Sequence, residues 1–124
     1  MHFAHVALAA AIATLILATG WLFFGRLFLR RWRIEPNVAA LLLGRRIGAI
    51  YLGLSVIFFL ARNLPDSELR SVLSLGAIVV CALLAMLGLA DFKARRAGPA
   101  ILVSVLIEVL LVAGFATVEL TGAA

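Results

Sequence analysis

The chain has 124 residues, of which 65% are hydrophobic and 14% are charged, and its formal net charge is +5. A soluble domain of this size has too little interior to bury so much apolar surface, so we expect lipid to solvate most of it. The basic residues lie at the ends of apolar runs rather than along one polar face. That distribution favours anionic lipid headgroups over nucleic acid as their partner.

Four apolar runs are long enough to cross a bilayer, because a helix needs about 20 residues to span roughly 30 Å of hydrocarbon. We predict spans at about residues 3–24, 38–61, 71–90 and 99–120. The first run has no Lys or Arg before it and continues too far for a signal peptide, so we expect it to be a retained helix. The predicted fold is therefore a single all-α domain, a four-helix transmembrane bundle.

The three connections between these spans differ in charge. The first, RLFLRRWRIEPN, holds four arginines and one glutamate, and the third, DFKARRAG, holds three basic residues and one aspartate. The middle connection, RNLPDSELR, is balanced in charge. Short cytoplasmic loops carry the excess of Lys and Arg in membrane proteins. We therefore predict that the first and third connections are cytoplasmic and that both termini are non-cytoplasmic.

The second span carries Arg45 and Arg46 inside its apolar run. From Ile47 to Ala61 the helix would rise only about 22 Å at 1.5 Å per residue, which is short of the roughly 30 Å hydrocarbon core. Charged side chains inside the membrane are costly. The two arginines must therefore reach back to the cytoplasmic headgroups or find an acidic partner.

Glu108 in the fourth span is the candidate partner for these arginines. It lies roughly 14 Å into its span, and Arg46 lies roughly 12 Å into the second, which runs in the same direction. We predict an ion pair between Glu108 and either Arg45 or Arg46, with Ser104 one helical turn from the carboxylate and able to donate a hydrogen bond. Two hypotheses follow: this charged cluster is a structural bridge, or Glu108 is a protonatable group on a transport path.

Small residues recur at helical spacing along the predicted spans. In the second span, Gly44 and Gly48 lie on one side and Ala49 and Gly53 lie nearly opposite. Small side chains let helices approach closely where lipid gives no hydrophobic drive for association. We therefore predict that the second span packs on both sides, in the middle of the bundle. Comparable stripes in the first and third spans contain Ala7, Ala11, Thr14, Ala18, and Ser74, Ala77, Cys81, Ala85, Gly88.

The sequence carries little that indicates catalysis. Its single cysteine, Cys81, excludes an internal disulfide. His2 and His5 near the N-terminus are too few for a metal site and too shallow to hold a haem. No nucleophile, phosphate-binding or zinc-protease motif is present. We predict no metal, no cofactor and no catalytic activity.

The stretch RRIGAIYLGLSVIFFLAR, together with the four spans and short turns, resembles small uncharacterised bacterial inner-membrane proteins of the DoxX-like kind. This resemblance implies a four-helix protein of the bacterial inner membrane and no particular activity. Size and helix count are also similar to those of small multidrug-resistance transporters. That family carries its glutamate in the first helix, where this chain has no carboxylate.

Two classes of function fit these features best. The small-residue stripes and the absence of a reaction centre favour an accessory or assembly subunit that packs against other membrane helices or against itself. The alternative is a small transporter or proton-conducting protein that uses Glu108. An enzyme acting on lipid is a third hypothesis, for which the sequence shows no nucleophile or metal site.

Overall fold

The structure is a computed structural model that describes residues 2–121. Over that range the chain forms five helices and no strand: α1 (Phe3–Phe23), α2 (Gly25–Arg31), α3 (Val38–Ala61), α4 (Glu68–Lys93) and α5 (Ile101–Thr121). All except the short α2 are long and apolar enough to cross a membrane. The prediction of an all-α bundle with four spans is confirmed.

The starts of α3 and α4 are fixed by polar side chains that precede them. Asn37 caps α3 by accepting a hydrogen bond from the backbone N–H of Ala40 at 2.8 Å. Ser67 does the same for α4, accepting from the N–H of Arg70 at 3.3 Å. Because such a cap satisfies backbone donors, α4 begins at Glu68, before the apolar run starts. The helix is therefore longer than the span predicted at residues 71–90.

The last span begins later than expected. The fourth span was predicted to begin at about residue 99, but α5 starts at Ile101. The preceding residues form a tight turn, in which the N–H of Ile101 donates to the carbonyl of Gly98 and that of Leu102 to the carbonyl of Pro99. Bonds of this i to i+3 kind tighten the first turn, so Pro99 lies in the turn ahead of the helix.

The bundle is built from two helix pairs. Helix α1 packs along α3 and α4 packs along α5, while α1 also contacts α5. The pairs meet at the end of the bundle where α1 begins and α5 finishes. There the ring of Phe115 lies 6.2 Å from that of Phe3 and 5.6 Å from that of Phe58, with Ala77 and Val118 beside them. This aromatic cluster forms the buried core.

One small face of α3 lies directly against α1. A Cβ added at Gly44 would approach the Trp21 ring to 2.6 Å, and one at Gly48 would lie 3.2 Å from the carbonyl oxygen of Ala18. Farther along this face, Ser55 Oγ donates a 2.8 Å hydrogen bond to the carbonyl of Ala11. Glycine at these two positions therefore allows close approach of the two backbones.

The opposite face of α3 does not pack as predicted. Ala49 is exposed, and a Cβ added at Gly53 would meet no atom within 4 Å among residues 2–121. The reason is that α3 packs on α1 alone along most of its length. The helix therefore lies at the edge of the bundle, with its second small face turned outward.

The stripe of small residues on α4 faces α5. Ser74, Ala77, Ala85 and Gly88 are buried. A Cβ at Gly88 would lie 2.8 Å from Cγ2 of Val105. The second helix pair therefore uses the same close approach as the first.

The first and third connections meet at one end of the bundle, which we name the basic end. The N–H of Gly98 donates a 2.7 Å hydrogen bond to the carbonyl of Trp32, and the side chain of Arg33 covers Gly98. The middle connection lies at the opposite end, near the start of α1, where Arg70 is almost fully buried with its guanidinium 4.8 Å from the ring centroid of Phe3. The strongly basic connections therefore share one end.

Aromatic residues at the basic end divide into two groups. Trp21 is buried and makes edge-to-face contacts with Phe28 at 5.4 Å and Trp32 at 5.5 Å. Phe23 and Phe24 are exposed and suit the interfacial belt that their position predicts. Trp21 and Phe28 instead fix α2 against the end of α1.

Candidate intramembrane site

A cavity of about 330 Å³ lies between the two helix pairs. All four spans contribute to its wall, which is almost entirely apolar. The polar side chains that line it are Thr14, Tyr51, Cys81, Ser104 and Glu108. Small-molecule sites have volumes of about 300 to 1,000 Å³ and apolar walls with a few polar groups, so this cavity has the character of such a site.

Glu108 is the only acidic or basic residue of the described chain that lines this cavity. It lies about 10 Å from the start of α5 and about 20 Å from its end, at 1.5 Å per residue. Its Oε2 atom is buried and has no hydrogen-bond partner within residues 2–121. A buried carboxylate oxygen without a partner is costly, so a proton, a water molecule or a bound group would compensate it.

The predicted ion pair of Glu108 with Arg45 or Arg46 is not formed. Both arginines are exposed, and neither makes a salt bridge to Glu108 in the part of the chain that the structure describes. The prediction rested on equal depth along two parallel helices. Depth does not fix the direction of a side chain, and α3 packs against α1 rather than alongside α5.

Among the described residues, no hydroxyl group that lines the cavity forms a hydrogen bond with the buried Oε2 of Glu108. Thr14 Oγ1 donates to the carbonyl of Ala10 in its own helix at 2.7 Å. Ser104 lines the same cavity as Glu108, as its spacing predicts, but no hydrogen bond joins the two side chains among the described residues. Tyr51 of α3 lies on the wall formed by the other helix pair. The polar groups therefore surround the cavity without satisfying Glu108.

Several apolar residues that line the cavity are also exposed on the outer surface of the bundle, and we name this part of the wall the rim. Ile16 and Val72, which line it, are each 62% exposed, and Val80 is 45% exposed. A Cβ added at Gly76, also on the rim, would meet no described atom within 4 Å. An apolar molecule dissolved in the bilayer could therefore reach Glu108 from the side.

The sequence predicted a different role for two residues of this site and no role for a third. Glu108 and Ser104 were singled out by their polarity within an apolar run, but as part of an arginine cluster. Tyr51 lies on the same side of the second span as Gly44 and Gly48 at about 100° per residue, and no role was predicted for it. The sequence feature that could have identified it is a single phenol group within a long apolar span. That feature indicates a site only when the helices opposite Tyr51 are known.

No group of three or more His, Cys, Asp or Glu side chains within residues 2–121 is arranged to hold a metal ion. The rings of His2 and His5 lie 5.6 Å apart at the start of α1, away from the cavity. The site therefore consists of one carboxylate, a thiol and hydroxyl groups in an apolar enclosure.

The four spans and the cavity between them define an α-helical multi-pass membrane protein with one carboxylate inside the bundle. Comparisons with protein-family models, with curated proteins and with solved structures found no match to this chain. Its function therefore has to be inferred from the site itself.

Proposed function

We propose that this protein is a small transporter. Its cavity binds an organic cation that has an apolar body, and the positive charge of that cation lies against Glu108. The single observation that carries the proposal is the buried, unpartnered Oε2 of Glu108 within an apolar cavity of about 330 Å³. A carboxylate in such a place either holds a proton or neutralises a cation. Exchange between these two states couples ligand binding to proton release.

The size and lining of the cavity support an organic ligand over a bare proton path. A proton relay needs a chain of hydrogen-bonding groups, whereas Glu108 has no partner among the described side chains. Apolar walls instead stabilise a hydrocarbon body by about 25 cal/mol per Å² of apolar area buried. The ligand class is therefore a small organic amine or quaternary ammonium ion with an apolar body.

We place the protein in the bacterial inner membrane, with the basic end cytoplasmic and no catalytic activity of its own. The support for this orientation is that both strongly basic connections lie at one end of the bundle.

The test compares two ligands of the same shape in nanodiscs of zwitterionic lipid. Benzyltrimethylammonium carries a charge, and 2,2-dimethylpropylbenzene is its neutral counterpart. We expect Glu108→Gln to weaken binding of the cation by at least about tenfold, because two opposite unit charges about 5 Å apart attract each other by about 3 kcal/mol at an effective dielectric constant of about 20. Binding of the neutral compound should change little. Equilibrium dialysis measures both, and uptake of the cation into vesicles measures transport.

Glu119→Gln is the matched control, since it removes a carboxylate from the same helix without touching the cavity lining. It should leave binding of the cation unchanged. Equal binding of the cation to the wild-type protein and to Glu108→Gln would refute the assignment of Glu108 as its partner.

A second candidate function, an accessory or assembly subunit, is favoured by the outward face of α3. Ala49 and Gly53 on this face are exposed. A face of small residues suits a further membrane helix from another subunit or from a second copy. Crosslinking in native membranes after Gly53→Cys separates the two functions: a specific crosslinked partner would support assembly, whereas transport by the purified chain alone would oppose an accessory role.

A further inference from the structure

The outer surface of the basic end contains a depression that the proposed transport function does not use. It lies where α1, α2 and α3 meet, has a volume of about 610 Å³, and includes three arginines: Arg26 and Arg30 of α2 and Arg45 of α3. No acidic residue lines it among those described. The depression is therefore strongly positive and open to an anion.

The walls below these arginines are apolar. Phe23 is 76% exposed and Val38 is 82% exposed, and Phe24 and Leu27 beside them are also exposed. A free phosphate ion would gain nothing from such surfaces. A phospholipid would place its acyl chains on them while its phosphate met the guanidinium groups.

The position of Arg45 agrees with such an occupant. It lies about 10 Å along α3 from Val38, at 1.5 Å per residue, and side chains tilt toward the start of their helix. Its guanidinium is therefore directed toward α2 and the basic end. Arg46, the next residue, does not line the depression. A bound phosphate would offset the cost of placing Arg45 within an apolar span.

We propose that this depression is a binding site for one anionic phospholipid, whose phosphate is held by Arg26, Arg30 and Arg45. The other basic depression of this end, at the third connection, is a weaker candidate. Arg96 there is already paired with Asp91 at 2.7 Å, and fewer large apolar side chains line that depression. The lipid site joins α2 to α3 and so holds the first connection at the membrane surface.

The adjacent arginines of α3 give a matched test. The protein is purified in a mild non-ionic detergent, and binding of phosphatidylglycerol and phosphatidylcholine is measured by native mass spectrometry. We expect Arg45→Gln to weaken phosphatidylglycerol binding about fivefold, from roughly 1 kcal/mol per arginine at a membrane surface. Arg46→Gln, with the same loss of charge one residue away, should retain it, and Arg45→Lys should restore most of it.

A second pair of variants tests the site as a whole. Each variant loses three positive charges, so the two have the same net charge as each other. Replacing Arg26, Arg30 and Arg45 by Gln should weaken phosphatidylglycerol binding on the order of 100-fold if the three contributions add. Replacing Arg31, Lys93 and Arg95 by Gln should have a small effect. Circular dichroism of each variant shows whether the helices are retained.

Three results would overturn the proposal. Equal losses in Arg45→Gln and Arg46→Gln would mean that only net charge matters. Equal affinity for phosphatidylglycerol and phosphatidylcholine would remove the need for an anionic lipid. Competition by soluble glycerol phosphate at the same concentration as the lipid would make this a site for free phosphate. None of these results bears on the binding of cations at Glu108.

Discussion

At the scale of single residues, Arg70 illustrates how a charge can be buried at the end of a span. Only 2% of its surface is exposed, its guanidinium lies over the ring of Phe3, and its Nη2 atom is 4.0 Å from a carboxylate oxygen of Asp66. Asp66 remains largely exposed to solvent. Arg70 therefore connects the middle connection to the start of α1, and its long side chain fills space that an apolar residue would otherwise occupy.

We expect Arg70→Gln to lower the free energy of unfolding by about 1–3 kcal/mol, because it removes a buried contact with Phe3 and leaves part of that space empty. Unfolding in sodium dodecyl sulfate, followed by circular dichroism, measures the change. Arg62→Gln in the same connection is the control, since Arg62 lies over the ring of Phe59, a residue with an exposed side chain. Equal losses in the two variants would show that burial of Arg70 contributes nothing.

At the scale of helices, the pairing of α1 with α3 depends on how closely their backbones approach. Gly44 lies against the Trp21 ring, which is itself held by Phe28 and Trp32 and has little room to move. Ser55 adds a hydrogen bond to the carbonyl of Ala11. Interhelical hydrogen bonds in membranes average only about 0.6 kcal/mol, so packing at glycine contributes the larger share of the contact.

Gly44→Ala should therefore separate α1 from α3 and lower stability by about 1–3 kcal/mol, the usual cost of overpacking. Gly53→Ala makes the same chemical change on the outward face of this helix, where the added Cβ meets no described atom within 4 Å. It should be neutral. The same detergent unfolding experiment compares them, and a neutral Gly44→Ala would mean that Trp21 can move aside.

The helices themselves were predictable because hydropathy is a local property. Runs such as residues 38–61 are apolar over the full length of a span, and α3 occupies those same residues. Helix α2 was not predicted as a separate helix, since its seven residues mix arginine with apolar residues and are ordered by Trp21 and Gly20 of α1. Which helices become neighbours depends on contacts between residues that are distant in the sequence. For that reason the predicted ion pair of Glu108 with Arg45 or Arg46 was wrong.

At the scale of the whole molecule, the arrangement of two helix pairs explains why a cavity exists. The pairs are joined by aromatic residues at the end that holds Phe3 and Phe115, and by the contact of Trp32 with Gly98 at the basic end. Between these two contacts, small residues such as Ala13 and Gly76 line the cavity beside larger aliphatic and aromatic side chains. Because the two helix pairs meet at both ends of the bundle and stand apart between them, the cavity is closed at its ends and open at its side.

The position of Gly76 on the rim allows the chamber to be filled without altering Glu108. We expect Gly76→Phe to place a ring in the cavity mouth and to abolish binding of both benzyltrimethylammonium and 2,2-dimethylpropylbenzene. Steric exclusion acts on shape, so the charged and neutral compounds should be lost together, unlike in Glu108→Gln. Equilibrium dialysis in zwitterionic nanodiscs measures both compounds.

Gly53→Phe is the control for adding an aromatic ring to a lipid-facing glycine, and it should leave both affinities unchanged. Loss of the cation alone in Gly76→Phe would point to an electrostatic rather than a steric effect. Undiminished binding of both compounds would place them outside the cavity, and the transport proposal would then lose its site even if Glu108→Gln weakened uptake. The two variants together therefore separate the role of the chamber from the role of its carboxylate.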